Sequence, residues 1–69
     1  MRITYDKQAD ALYIYLYKGR IKRTAKAGKN VLVDFGEKDR PIGVEFYKIS
    51  RSLPKDALKS VLVELPISA

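Results

Sequence analysis

Asp34 and Glu45 are the two acids in this sequence best placed to act together. Each lies in a segment that alternates apolar with other residues, "VLVDF" (31–35) and "PIGVEFY" (41–47). If these segments run as adjacent strands, both carboxylates fall on one face within reach of each other. Two close carboxylates can divide general-acid and general-base roles, or hold a hard cation such as magnesium. The rest of the chain gives that chemistry no support. There is no histidine, the commonest base and metal ligand at neutral pH, and no cysteine. No phosphate-cradling glycine loop is present. The expectation is therefore a protein that is not an enzyme, with no cofactor and no metal site.

Asp6 and Asp10 flank the polar stretch "DKQAD" (6–10). An aspartate beside a short turn accepts hydrogen bonds from backbone amides two or three residues on, so both read as turn-structuring residues. Asp10 can also cap the turn into the strand that follows.

The basic residues offer a second kind of chemistry. Lys18, Arg20, Lys22, Arg23, Lys26 and Lys29 fall within twelve residues that contain no acid, and the other 57 residues hold eight bases and eight acids. The whole net charge of +6 therefore belongs to this segment. Such a patch attracts phosphate or an acidic partner, or simply keeps a lysine-rich hairpin soluble.

Tyrosines form the third candidate surface. In "ALYIYLY" (11–17) the aliphatic Leu12, Ile14 and Leu16 alternate with Tyr13, Tyr15 and Tyr17. An extended chain puts the two sets on opposite faces. Tyrosines on a sheet can form a protein interface, stack unpaired bases while nearby cations grip phosphate, or be plain sheet surface. The expected interaction surface is Tyr13, Tyr15, Tyr17, Leu32 and Tyr47, with Tyr15 beside Lys22 and Tyr17 beside Arg20.

These positions need a framework. "RITY" (2–5) reads as a short strand and "ALYIYLY" as the clearest one, being alternating and rich in aromatic and β-branched residues. Lys18-Gly19 suits a two-residue hairpin loop with Gly19 at positive φ, and "RIKRTAKA" (20–27) returns along the tyrosine strand. That register sets Arg23 opposite Ile14, which calls for a bulge or strand end there. A second hairpin spans "NVLVDFGEKDRPIGVEFYKIS" (30–50), with Val33 near Val44 and Pro41 able only to open its strand. Gly43 within that strand implies a close neighbour, Tyr13 or Tyr47. Ser52 is a candidate N-cap for a helix starting at Leu53, with Leu53, Ala57, Leu58, Val61 and Leu62 in one apolar stripe. The fold class expected is α+β: a four-stranded, mainly antiparallel sheet of two hairpins with one C-terminal helix on its aliphatic face. Residues 1–69 form a single domain, with 63–69 as an arm or edge strand.

Two spaced blocks carry a resemblance. "ITYDKQADALYIYL" and "VLVDFGEKDRPIGVEF", followed by "S-x-x-L", resemble the domain of unknown function 2283 family of small prokaryotic proteins. Tyr5, Asp6, Ala9, Asp10, Ala11, Leu12, Tyr13 and Ile14 match its first block; Val33, Asp34, Phe35, Gly43, Val44 and Glu45 match the second. The resemblance spans about residues 1 to 53 and brings no established activity. Some relatives look like partners of small toxin-like proteins, so it implies an antitoxin-like role. Relatives tend to be acidic where this chain has "KGRIKRTAKAGK", so it implies no shared electrostatic partner.

At 69 residues without cysteine, the chain is near the lower limit for a self-sufficient core. Self-association, as a homodimer, is the expected remedy, and a protein partner the expected role. The alternative is a basic single-stranded nucleic-acid binder that uses the tyrosine face and the Lys/Arg hairpin. No apolar run approaches the roughly 20 residues that span a bilayer, and the N-terminus lacks a signal-peptide core, which predicts a cytoplasmic location and no membrane partner. Asn30 and Gln8 are the only side-chain amides against 32% charged residues, a bias found in thermophilic proteins.

Overall fold

The computed structural model describes residues 1–54, 56 and 57. Its strands are β1 (Arg2–Asp6), β2 (Ala11–Tyr15), β3 (Arg23–Gly28), β4 (Val31–Phe35) and β5 (Pro41–Tyr47). They form one sheet in the order β1-β2-β5-β4-β3, every neighbouring pair antiparallel. A single 3₁₀ turn, Glu37–Asp39, and a short helix, α1 (Ile49–Ser52), complete the described elements.

The antiparallel α+β reading holds, with five strands where four were expected. "RITY" is a full partner of β2, with Ile3 opposite Ile14 and Tyr5 opposite Leu12. The larger correction concerns the basic segment. It does not fold back on β2 as a hairpin; β3 pairs with β4 at the far edge, with Ala25 opposite Val33. Burial decides this. The apolar β2 is covered on both flanks, by β1 and β5, whereas a strand written "RTAKAG" has little to bury and takes an edge. Residues 16–22 carry the chain past the ends of β5 and β4. Leu16 and Tyr17 both donate backbone N–H bonds to the Ile42 carbonyl, at 2.9 and 3.2 Å, and Lys22 donates to Phe35 at 2.7 Å. Gly19 accordingly has no positive φ. Arg23 meets Phe35 rather than Ile14, and the irregularity falls between Lys26 and Gly28.

The β4–β5 hairpin has the expected register, Val33 opposite Val44, and Pro41 opens β5. Register then sorts the two faces. Ile3, Leu12, Ile14, Val31, Val33, Val44 and Phe46 share one side, and Thr4, Tyr13, Tyr15, Leu32, Asp34, Gly43, Glu45 and Tyr47 share the other. Leu12, Ile42 and Ile49 are the most deeply buried apolar residues among those described. Ile49 and Leu53 meet Leu12, Val31 and Phe46 around one apolar groove, so residues 49–53 turn onto the aliphatic side.

Leu53 is extended rather than the first residue of a helix, and Ser52 ends α1 instead of capping a second one. Its hydroxyl donates to the Lys48 carbonyl at 3.3 Å. Asp56 and Ala57 are helical. The remainder of the expected helical stripe, Leu58, Val61 and Leu62, and the 63–69 arm lie outside the described residues.

Candidate functional site

The tyrosine face is built around a side chain that crosses a strand. Tyr13 belongs to β2, yet its hydroxyl donates to Oδ2 of Asp34 on β4, and β5 lies between. The ring can pass because the central strand presents Gly43 there. A Cβ at Gly43 would sit 2.6 Å from the Tyr13 Cζ and closer still to the hydroxyl, where no carbon fits. Of the two neighbours expected for this glycine, Tyr13 is the one present. Asp34 is completed by β3: Thr24 donates its hydroxyl to Oδ1 at 2.5 Å. One carboxylate thus ties β2 and β3 to β4, with both oxygens occupied by hydroxyl donors.

Asp34 and Glu45 do share this face, but diagonally, since Glu45 is opposite Leu32 and Asp34 opposite Gly43. Among the described residues no cluster of three or more ligating side chains brings a third donor to them. Burial of the Tyr13 hydroxyl, its hydrogen bond to Asp34 and the nearby negative charge all hold its pKa far above the usual tyrosine value of 10.0. A group whose folded pKa is raised contributes stability that is complete below its unfolded pKa and lost as pH rises above it. In an alkaline titration followed by tyrosinate absorbance, one of the five tyrosines is therefore expected to ionise last, together with loss of structure. Tyr13→Phe should abolish that late component. Five tyrosines ionising as one group in the wild type would disprove the assignment.

Tyr15 stands beside Tyr13 with ring centroids 4.4 Å apart and interplanar angle 50°. It is 40% exposed, and the Arg2 guanidinium covers its ring at 4.3 Å. Leu32 and Tyr47 lie on the same face, each partly buried. Tyr17 lies past the end of β2, 59% exposed, with Arg40 over its ring at 5.1 Å. The expected pairings of Tyr15 with Lys22 and Tyr17 with Arg20 are thus replaced by Arg2 and Arg40, because β3 is not the neighbour of β2.

The same topology divides the basic run. Lys22 pairs with Glu37 and Arg23 with Asp39, each at 3.0 Å, and the Arg23 guanidinium lies 4.1 Å over Phe35. Lys18 and Arg20 line an open basin with Lys38 and Arg40 at that end of the sheet. Lys29 joins Lys48 and Arg51 around a concavity at the opposite end. Lys26 sits midway along β3, opposite Leu32.

The aspartates at the first turn hold backbone. Asp6 Oδ1 accepts from the amides of Gln8 and Ala9 at 3.0 and 3.1 Å. Asp10, at φ 53°, accepts from the Ser50 hydroxyl at 2.6 Å and the Ser50 amide at 3.2 Å, and its carbonyl accepts from Ile49 at 3.1 Å. The bonds from Ser50 lower the Asp10 pKa below its usual 3.8, so this strap is lost only as pH falls through that lowered value. The Tyr5 hydroxyl also reaches Asp10, at 3.4 Å; partial burial first, then the Asp10 charge, raises its pKa.

Thr24, Ser50, Arg2, Lys38 and Arg40 were not singled out from the sequence. Strand order or a long-range turn contact brings Thr24, Ser50, Arg2 and Arg40 to their partners, and Lys38 lines the basin beside Arg40. Gly43, by contrast, announced its role as a glycine inside a strand. No helix among the described residues is long and apolar enough to cross a membrane.

Comparison with known proteins returns no match among curated proteins and none among solved structures. A family described as "Protein of unknown function (DUF2283)" matches residues 2–50, which contain all five strands and the whole Tyr13–Gly43–Asp34 arrangement. The chain belongs to the DUF2283 family.

Proposed function

We propose that this protein is a small non-catalytic interaction module that pairs with a second copy through its tyrosine face. The observation that carries this reading is the division of the sheet. Residues 49–53 turn onto the aliphatic side, while Tyr13, Tyr15, Leu32 and Tyr47 sit on the other. An aromatic face on so small a domain gains most by burial against a partner, and a two-fold pair is the simplest closed solution. Tyr15 lies near the middle of the interface and Tyr17 at its rim. The occupied carboxylate of Asp34 supports a positioning role for that residue over a catalytic one. A further protein partner docks on the dimer in this reading, the antitoxin-like role implied by the family resemblance being one case.

Sedimentation over a wide dilution series tests the proposal. The expected result is a dimer that dissociates on dilution, with a melting temperature that climbs with protein concentration. A monomer at every concentration, with melting independent of dilution, would refute it.

A further inference from the structure

We infer that the basin between residues 18–20 and 36–40 binds the phosphate backbone of single-stranded nucleic acid. The basin lies outside the dimerisation face and meets it only at the rim, at Tyr17: it is at the end of the sheet where residues 16–22 cross β5 and β4. The concavity measures about 510 Å³ and is lined by Lys18, Gly19, Arg20, Gly36, Glu37, Lys38, Arg40 and Ile42. Two acids serve this end, and both have partners, Glu37 with Lys22 and Asp39 with Arg23. Lys18, Arg20, Lys38 and Arg40 make no ion pair among the described residues, so a positive excess remains around the basin. Four cations spread around an opening of that size exceed what one free phosphate can use, and they suit a chain of them.

The choice between nucleic acid and an acidic protein rests on Tyr17. It projects at this end, 59% exposed, and Arg40 steadies its ring from 5.1 Å. A fixed, exposed aromatic beside phosphate-binding cations is the arrangement on which unpaired bases stack, and stacking tolerates any sequence. The backbone helps to keep the basin in shape. Gly36 donates to Arg40 at 2.8 Å, and a Cβ at Gly36 would crowd the Arg20 carbonyl at 3.3 Å, so the two loops lie directly against each other. Binding is expected to be weak at physiological salt and indifferent to sequence.

The test is fluorescence anisotropy of a labelled oligo-dT against the full chain over a range of salt. Four phosphate contacts on a single strand give a log–log salt slope of about −3, an affinity loss of about fiftyfold between 50 and 200 mM salt. The double variant Lys18→Glu/Arg40→Glu should roughly halve the slope, whereas Lys26→Glu, on β3 outside the basin, should leave it near the wild-type value. Tyr17→Ala should weaken oligo-dT binding by about tenfold with a small change in slope. These residues are exposed, so the variants should keep the wild-type circular dichroism spectrum. A slope insensitive to Lys18 and Arg40, a Lys26→Glu effect as large as theirs, or a polyglutamate peptide that competes as well as oligo-dT would each overturn the inference.

Discussion

Gly43→Val should destabilise the fold by roughly 2–4 kcal/mol, measured by urea denaturation. The Tyr13 ring fills the space over Gly43, and a Cβ there would lie 2.6 Å from Cζ. Tyr13 must then leave, and it takes with it the bond to Asp34 that joins β2 to β4 across the central strand. Asp34 would keep only Thr24 as a hydroxyl donor. Small domains rarely exceed a few kcal/mol in total, so this variant should sit near the edge of folding. Gly28→Ala is the control, because its Cβ would meet only Val31 at an ordinary 3.9 Å. Adding Tyr13→Ala to Gly43→Val should recover part of the loss, a non-additivity that marks direct contact. Equal effects of Gly43→Val and Gly28→Ala would show that the crossing ring is not what requires the glycine.

Tyr15→Lys should convert the proposed dimer to a monomer and lower its melting temperature. Central aromatic anchors commonly account for 2 kcal/mol or more of association, so the dissociation constant should rise by about thirtyfold or more. The new ammonium would stand on the face to be buried, close to the Arg2 guanidinium that now covers the Tyr15 ring at 4.3 Å. Burying such a charge without a partner is strongly unfavourable. Within the monomer the loss is modest, since Tyr15 is 40% exposed. Tyr15→Phe keeps the ring and should keep the dimer. If Tyr15→Lys sediments as the wild type does, the interface lies elsewhere.

Periodicity made the two faces legible, because alternation in "ALYIYLY", "VLVDF" and "PIGVEF" fixes which side chains point together whatever the strand order. The β4–β5 register was legible for the same reason: a short loop and Pro41 leave little choice of pairing. What periodicity cannot supply is the neighbour. A Lys-Gly between two extended stretches is compatible with a hairpin, and only the better burial of β2 between β1 and β5 displaces β3 to the edge. The misplaced contacts of the basic run, Tyr15 and Tyr17 follow from that one substitution of partner. Lys22 and Arg23 went to the 36–40 loop, Tyr15 and Tyr17 found Arg2 and Arg40, and Thr24 came to Asp34. Gly43 was readable in advance because a missing side chain speaks of local crowding rather than of strand order.

The crossing of residues 16–22 also sets the order in which the molecule can assemble. The β1–β2 hairpin and the β3–β4–β5 meander each close through short turns, whereas Tyr15 and Gly43 must find each other across the intervening chain. Loop-closure entropy makes the two local units the early products and the β2–β5 seam the late one. That seam is fastened at one end by Asp10 on Ser50, in its middle by Tyr13 on Asp34, and at the other end by Leu16 on Ile42. Substitutions at these fasteners should therefore act mainly on the unfolding rate, while those in the β4–β5 turn should slow refolding. A kinetic ratio near one at Tyr13 would reverse that sequence of events and make the seam the nucleus.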